Sequence, residues 1–514
     1  MGAPLAESAA HSILSLFLAT CRASPEAPFL IAENGSVLTY AAARARSAQL
    51  AHAFRASGVQ PGDRIAVQVE KSQTALLTYL AALQAGAVYL PLNTAYTIGE
   101  VRYFLGDAKP ALVLCRPDDE PAMVALCADL GVPAWLTLDA DGTGGTLIDA
   151  AAGQPEIFDA EPAKADGLAA ILYTSGTTGR SKGAMLSHAN LASNALTLRE
   201  YWRFTAQDRL LHALPIFHTH GLFVATNVTI AAGAAMIFLP KFDADALVRL
   251  MPQASVLMGV PTFYTRLLAH TGFTRDLAAG MRLFVSGSAP LSAETHKEFS
   301  ALTGHAILER YGMTETNMNT SNPYDGLRKP GSVGFPLPGV AVRIADPETA
   351  TVLPQGEIGG IEVKGPNVFG GYWQMPEKTA QEFRADGFFI TGDLGFIDAE
   401  GYVHIVGRAK DLIIAGGFNI YPAEVEAALD ELPGIAESAV IGVPHADMGE
   451  AVVAVVKSTN EALDQAAVLA ALKDSLARFK QPRAVVFVEE LPRNTMGKVQ
   501  KALLRETYGK LFSE

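Results

Sequence analysis

Short apolar runs alternate with longer amphipathic stretches over most of this chain. The run Arg64–Val69 (RIAVQV) predicts a strand, and Thr74–Ala85 predicts the helix that follows it. Residues 86–92 and 111–115 predict two more strands, and Leu168–Leu172 another. Apolar strands of this length, separated by helices, imply βαβ units and largely parallel sheets. Later runs, Gly360–Lys364 and Gly401–Ile405, read as shorter and more antiparallel elements. The stretch Asp139–Gly153, rich in Gly, Ala, Asp and Thr, reads as a surface connection. Composition changes again after Gly407-Arg408-Ala409-Lys410-Asp411, and about one hundred residues beyond it carry a strand–helix pattern of their own. The expected fold is α/β and multi-domain, with residues 1–409 as a large N-terminal domain of βαβ-type sheets and residues 410–514 as a small α+β C-terminal domain.

Composition narrows the field. Hydrophobic residues make up 49% of the 514 and charged residues 18%, enough to bury several cores and far from a disordered profile. A formal net charge of -13 argues against nucleic acid or an anionic membrane as partner. Cys21, Cys115 and Cys127 form neither a CxxC pair nor a zinc-ligand spacing and read as buried thiols of a reducing, cytoplasmic compartment. The apolar stretch Ile13–Leu18 lacks a basic flank and falls short of the ~20 residues a membrane span needs, so it predicts a first amphipathic helix.

The densest chemical signal is Tyr173-Thr174-Ser175-Gly176-Thr177-Thr178-Gly179-Arg180-Ser181-Lys182-Gly183, directly after an apolar strand. Glycines and small hydroxyl residues let backbone N–H and O–H groups approach phosphate oxygens closely, and Lys182 adds a point charge. Ser181 stands where GxxxxGK[ST] needs its second glycine, so this is not a Walker loop. The block resembles the signature of the ANL superfamily of adenylate-forming enzymes, which holds acyl-CoA synthetases, adenylation domains of peptide synthetases and luciferases. Further motifs of that superfamily follow in order: LPIFH from Leu214, SGSAPL from Ser286, YGMTET from Tyr311, Thr391-Gly392-Asp393, Gly407-Arg408 and PRNTMGK ending at Lys498. The resemblance implies an acid–thiol ligase that uses ATP and Mg²⁺ to form an acyl-adenylate and passes the acyl group to coenzyme A. It also implies a small β-rich subdomain and a C-terminal domain that moves as a lid.

The chemistry assigns roles to these motifs. A carboxylate is a poor electrophile, and adenylation gives it AMP as leaving group. The transfer gathers negative charge on an in-line phosphorus, so cations and donors must converge there. Lys498 is the expected bridge between carboxylate and α-phosphate. Glu315 offers the hard oxygen that Mg²⁺ prefers, and Thr314 a donor for the α-phosphate. By resemblance, Asp393 takes the ribose hydroxyls with Arg408 nearby, while Gly287, Ser288, Ala289, Glu309 and Tyr311 frame the adenine. Lys410 corresponds to the hinge between the domains, and Gly416 with Gly417 to the passage for the pantetheine arm. Ile414 stands where many relatives carry lysine, so no role passes to it.

The acid is read from Arg310, in Glu309-Arg310-Tyr311-Gly312. Relatives that use aromatic acids often have glycine before that tyrosine, which leaves room for a ring. An arginine shrinks the pocket and sets a two-pronged cation near the substrate tail, favouring a short dicarboxylate. The run Glu309–Gly326 resembles malonyl-CoA synthetases, and His218 and Met318 map near the pocket wall there. For Met318, core packing is the equal alternative. Arg282 is a second candidate for the distal carboxylate, and a salt bridge to Glu309 or Glu315 is the competing reading of Arg310. A synthetase for another short-chain acid and a free-standing loader of carrier proteins remain the alternative functions.

Overall fold

The structure is a computed structural model that describes residues 12–160, 163–174, 181–415, 418–445, 448–460, 462–473, 475–494 and 497–512. The predicted strands and helices form where the apolar pattern places them. Strand Arg64–Gln68 leads into helix Gln73–Gln84, which Ser72 caps by accepting from the Ala75 amide. The helix is buried nearly all round, with Leu76, Tyr79 and Leu80 closed to solvent, as a helix packed between layers must be. The amphipathic start forms helix Ile13–Ala23, opened by a Ser12–Ser15 capping box.

Four sheets organise the described residues. The first has six strands in the order Ala134–Thr137, Leu112–Cys115, Arg64–Gln68, Val88–Pro91, Leu168–Thr174 and Lys182–Ser187. All pairs are parallel except the last, the hairpin that carries the glycine-and-hydroxyl block in its turn. The second has nine strands. Six of them are parallel, in the order Leu308–Met313, Leu283–Ser286, Val256–Gly259, Arg209–His212, Ala235–Phe238 and Pro28–Ile31. LPIFH, SGSAPL and YGMTET lie at the carboxyl ends of the parallel strands Arg209–His212, Leu283–Ser286 and Leu308–Met313, which is where open α/β sheets place their ligand crevices. Lys71 fastens the two sheets there, donating to His212 Nδ1 at 3.0 Å and to the His212 carbonyl at 2.9 Å.

A four-stranded antiparallel sheet spans Ala341–Arg408, with its own core of Ile344, Ile361 and Val363 against Tyr311. From Ile413 onward a five-stranded sheet buries one apolar face against helices Pro422–Asp430 and Gln465–Leu472 and the other against Lys501–Tyr508. One expectation needs correction. Asp139–Gly153 is more than a surface connection: it contains helix Thr146–Ala151, with Leu147 fully buried. Reciprocal Thr137–Thr146 hydrogen bonds at 2.8 and 3.0 Å, across nine residues, pin the helix start, a tie that small-residue composition conceals. Cys21, Cys115 and Cys127 are free and buried. Among the described residues no helix is long and apolar enough to cross a membrane.

Candidate active site

Lys498 sits in a tight turn whose register is fixed by hydrogen bonds. Asn494 N donates to the Lys498 carbonyl at 2.9 Å, Lys498 N to Asn494 Oδ1 at 3.0 Å, and Arg493 Nη1 to the Gly497 carbonyl at 2.5 Å. Gly497 takes φ +74°, a left-handed value glycine adopts without strain, and lies close to Thr262 of the large domain. The Lys498 side chain keeps an open surface, yet Arg408, Asp393, Arg310 and Glu315 all act on its charge. Crowding by protein, then Arg408, lowers its affinity for a proton, Asp393 opposes them, and water at the open surface tempers the shift. The lysine of this C-terminal turn thus lies within electrostatic reach of four groups of the large domain.

At the nucleotide end, Asp393 and Arg408 are directly paired across neighbouring strands. Arg408 Nε lies 2.7 Å from Asp393 Oδ1, and Tyr311 donates to Asp393 Oδ2 at 2.5 Å. The carboxylate is therefore held at both oxygens. Glu315 is buried, which raises its proton affinity, and its Oε1 accepts from Tyr372 at 3.0 Å. Thr314 is half-buried beside it. Thr174 pairs with Lys182 across the hairpin, while Ser175, Gly176, Thr177, Thr178 and Gly179 lie outside the described residues, as do Gly416 and Gly417. Lys182 itself is buried and paired, with Nζ 2.8 Å from Glu382.

Arg310 is 4% exposed, and its Nε and Nη2 have no hydrogen-bond partner. No ion pair joins it to Glu309 or Glu315 among the described residues. Burial pushes the guanidinium down to about 9, which records how costly an uncompensated charge is there. Gly287 makes room for it: a Cβ at that position would fall on the guanidinium. We therefore expect Gly287→Ala to lower kcat/KM for the acid by about tenfold or more, with a smaller change in KM for ATP. Steady-state kinetics with each substrate varied in turn checks this.

His218 and His220 flank the guanidinium electrostatically. Burial, then Lys498 and Arg310, pushes His218 down to about 3. His220 is neutral for similar reasons, with Nδ1 3.2 Å from Ser288 Oγ and Nε2 unpaired. Ser288 holds φ +72°, a strained backbone for a residue with a side chain. Neutral His218 has a consequence for stability. The folded chain protonates it only near pH 3 and the unfolded chain near 6.5, so between those values the unfolded state binds more protons. Stability then falls as pH drops, by at most about 1.4 kcal/mol per pH unit for this group. His218→Gln should shrink the loss of thermal midpoint between pH 7 and pH 5.

One expected pocket residue lies elsewhere. Arg282 stands at the amino end of strand Leu283–Ser286, opposite the crevice, and makes a two-pronged pair with Asp208 at 2.6 and 2.8 Å. It also donates to the Trp202 carbonyl at 3.0 Å. Its donors are engaged in the scaffold, so it is no carboxylate receptor. Met318 is 2% exposed and packs over Gly312, two residues from Arg310, a placement that core packing and a pocket wall share. Glu309 turns its carboxylate to His296, 3.5 Å away. Ala289 is half-buried beside Ser288. A cavity of about 920 Å³ reaches Phe217 and Gly497, the chain neighbours of His218 and Lys498, and is walled further by Val67, Tyr89, Phe263, Lys71 and the segment Leu491–Asn494.

Residues 17–373 match the AMP-binding enzyme family, and residues 424–498 match the AMP-binding enzyme C-terminal domain. The chain belongs to the AMP-binding enzymes. It is an AMP-forming acid–thiol ligase of the adenylate-forming superfamily. A feruloyl-CoA synthase from an Amycolatopsis species is 37% identical over 497 residues, spanning 95% of this chain and 97% of the relative. A malonate–CoA ligase from Arabidopsis thaliana is 34% identical, spanning 88% and 79%. The solved structure of ATP-bound MatB from Rhodopseudomonas palustris is 59% identical, with a TM-score of 0.95 over 98% of this chain and all of that one.

For an AMP-binding enzyme, the donor set around Glu315 fits a metal that arrives with its nucleotide. One buried carboxylate is a poor cage alone, and among the described residues no group of three or more His, Cys, Asp or Glu could hold an ion. Mg²⁺ is commonly held in that way, by a carboxylate together with phosphates and waters. Sequence reading missed His220, Tyr264, Tyr372 and Glu382. His220 carried a signal, the His-x-His spacing with His218. The others meet the site only through the fold.

Proposed function

We propose that this enzyme makes malonyl-CoA from malonate, ATP and coenzyme A through a malonyl-adenylate, releasing pyrophosphate and then AMP. The observation that carries the reading is Arg310, a buried guanidinium with unpaired donors, within electrostatic reach of His218 and Lys498. A short diacid satisfies both ends: one carboxylate pairs with Arg310, and the other lies by Lys498 at the α-phosphate. A monocarboxylate of the same length leaves the guanidinium unpaired.

In the first step a carboxylate oxygen attacks the α-phosphorus and pyrophosphate leaves. Lys498 and Thr314 offset the charge that gathers there, and Asp393 with Arg408 fixes the ribose. Bound Mg²⁺, held by Glu315 with the phosphates, would neutralise the departing pyrophosphate. Rotation about Lys410 then withdraws Lys498 and brings Gly416 and Gly417 to the crevice. The coenzyme A sulfur attacks the acyl carbon, and AMP leaves. The cavity beside Phe217 and Lys71 is wide enough for a pantetheine arm.

A pyrophosphate-release assay over mono- and dicarboxylic acids, with and without coenzyme A, tests the reading. Malonate should lead the panel, with acetate, butyrate and ferulate at least about 10²-fold lower in kcat/KM. Ferulate ahead of malonate would refute it. Acyl transfer to a purified carrier protein in preference to coenzyme A would replace ligase action on the free thiol with carrier loading.

A further inference from the structure

Four charged groups meet around one phenol beneath the nucleotide site. Tyr372 Oη lies 3.0 Å from Glu315 Oε1 and 2.6 Å from Glu382 Oε2. Glu382 also holds Lys182 at 2.8 Å and Lys378 at 3.1 Å, and the Lys182 ammonium sits 4.1 Å from the centre of the Tyr372 ring. Two lysines thus balance two carboxylates. Lys182 follows the glycine-and-hydroxyl turn, and Glu315 is the carboxylate assigned to the metal, so the phenol joins the two electrostatic poles of the triphosphate site.

The backbone reinforces this arrangement from three sides. Residues Gly370–Trp373 lie along the Lys182–Ser187 strand: Met185 N donates to the Gly371 carbonyl at 3.0 Å and Trp373 N to the Gly183 carbonyl at 2.7 Å. Phe369 N donates to the Glu315 carbonyl at 2.8 Å. Thr379 Oγ1 accepts from Tyr372 N at 2.9 Å, and Gly371, at φ +128°, leaves no space for a side chain beside Thr379. Tyr372 cannot shift without disturbing the loop strand or Glu315.

We propose that Tyr372 and Glu382 are positioning residues that lock Lys182 and Glu315 into one bracket under the triphosphate. Lys182 then serves adenylation by holding Glu315 in place, rather than as a free cation for phosphate. This rests on the reading that Glu315 faces the metal–nucleotide complex and is independent of the acid used. A cation whose charge is already matched at 2.8 Å has little left to offer a phosphate, whereas a buried carboxylate needs fixed neighbours to present one oxygen outward.

Calorimetric titration of Mg·ATP into the whole enzyme, without acid, tests the bracket. Tyr372→Phe should weaken Mg·ATP binding by about tenfold at limiting Mg²⁺, with recovery at high Mg²⁺ and an unchanged thermal midpoint. Lys182→Met and Glu382→Gln should each weaken binding, and the double variant should be no weaker than the worse single one. Additive losses, or tighter binding in Glu382→Gln, would make Lys182 a direct phosphate ligand and overturn the proposal. So would Tyr372→Phe with unaltered Mg²⁺ dependence, a variant that removes one hydroxyl and spares the fold. A wild-type protein that binds no Mg·ATP at all would remove the nucleotide reading itself, a failure distinct from these.

Discussion

Lys498→Ala is expected to slow adenylate formation by about 10²–10³-fold while the step that consumes the adenylate keeps its rate. The magnitude is that of removing one preorganised donor from a charge that develops in the transition state. The asymmetry comes from position. Lys498 lies on the Asn494–Lys498 turn of the small domain, held by Arg493, whose Nη2 also pairs with Glu437 at 2.8 Å. Any rotation about Lys410 that brings other residues to the crevice must carry the lysine away. Pyrophosphate exchange reports the first half-reaction, and thioester formation from added acyl-adenylate reports the second. Equal loss in both would point to damaged folding. Full-speed adenylation would show that the ammonium is dispensable and would undo the mechanism.

Much of the fold was legible because its signals are local. RIAVQV, the Thr74–Ala85 stretch and the apolar run before Thr174 each specify an element through periodicity, and each element forms within a residue or two of the expected bounds. The motifs at the carboxyl ends of parallel strands were legible for a related reason, since phosphate and ribose chemistry demands particular residue types close together in sequence. Helix Thr146–Ala151 was hidden because a side-chain tie to Thr137, nine residues before it, rather than its own composition, pins its start.

The acyl pocket was only half legible. Sequence puts Arg310 ahead of Arg282 as the guanidinium for the distal carboxylate, and only three-dimensional pairing removes Arg282 from consideration. Asp208, which occupies Arg282, lies 74 residues away in the chain. Tyr372 and Glu382 carry no motif of their own, and their partners Glu315 and Lys182 lie 57 and 200 residues away. Long-range electrostatic partners leave no periodicity, so nothing in the residue order announces them.

Arg310→Met should cost about 10²-fold or more in kcat/KM for malonate, spare or improve turnover of small monocarboxylic acids, and raise the thermal midpoint of the ligand-free enzyme. The first effect follows from removing one partner of a buried, hydrogen-bonded charge pair, worth about 2–5 kcal/mol in comparable cases. The third follows from the empty pocket. A guanidinium at 4% exposure with two unpaired donor atoms is held against its desolvation cost, and a thioether of similar length fills the space without it. Malonate should stabilise the wild type by supplying the missing counter-ion and should leave Arg310→Met unmoved. A coupled readout follows, in which stability rises as specificity is lost, and general loss of structure cannot mimic it. Turnover over an acid panel together with thermal scans with and without malonate measures both halves. Unchanged malonate kinetics in the variant would show that the tail carboxylate finds its partner elsewhere, and the assignment of a dicarboxylate would fall with it.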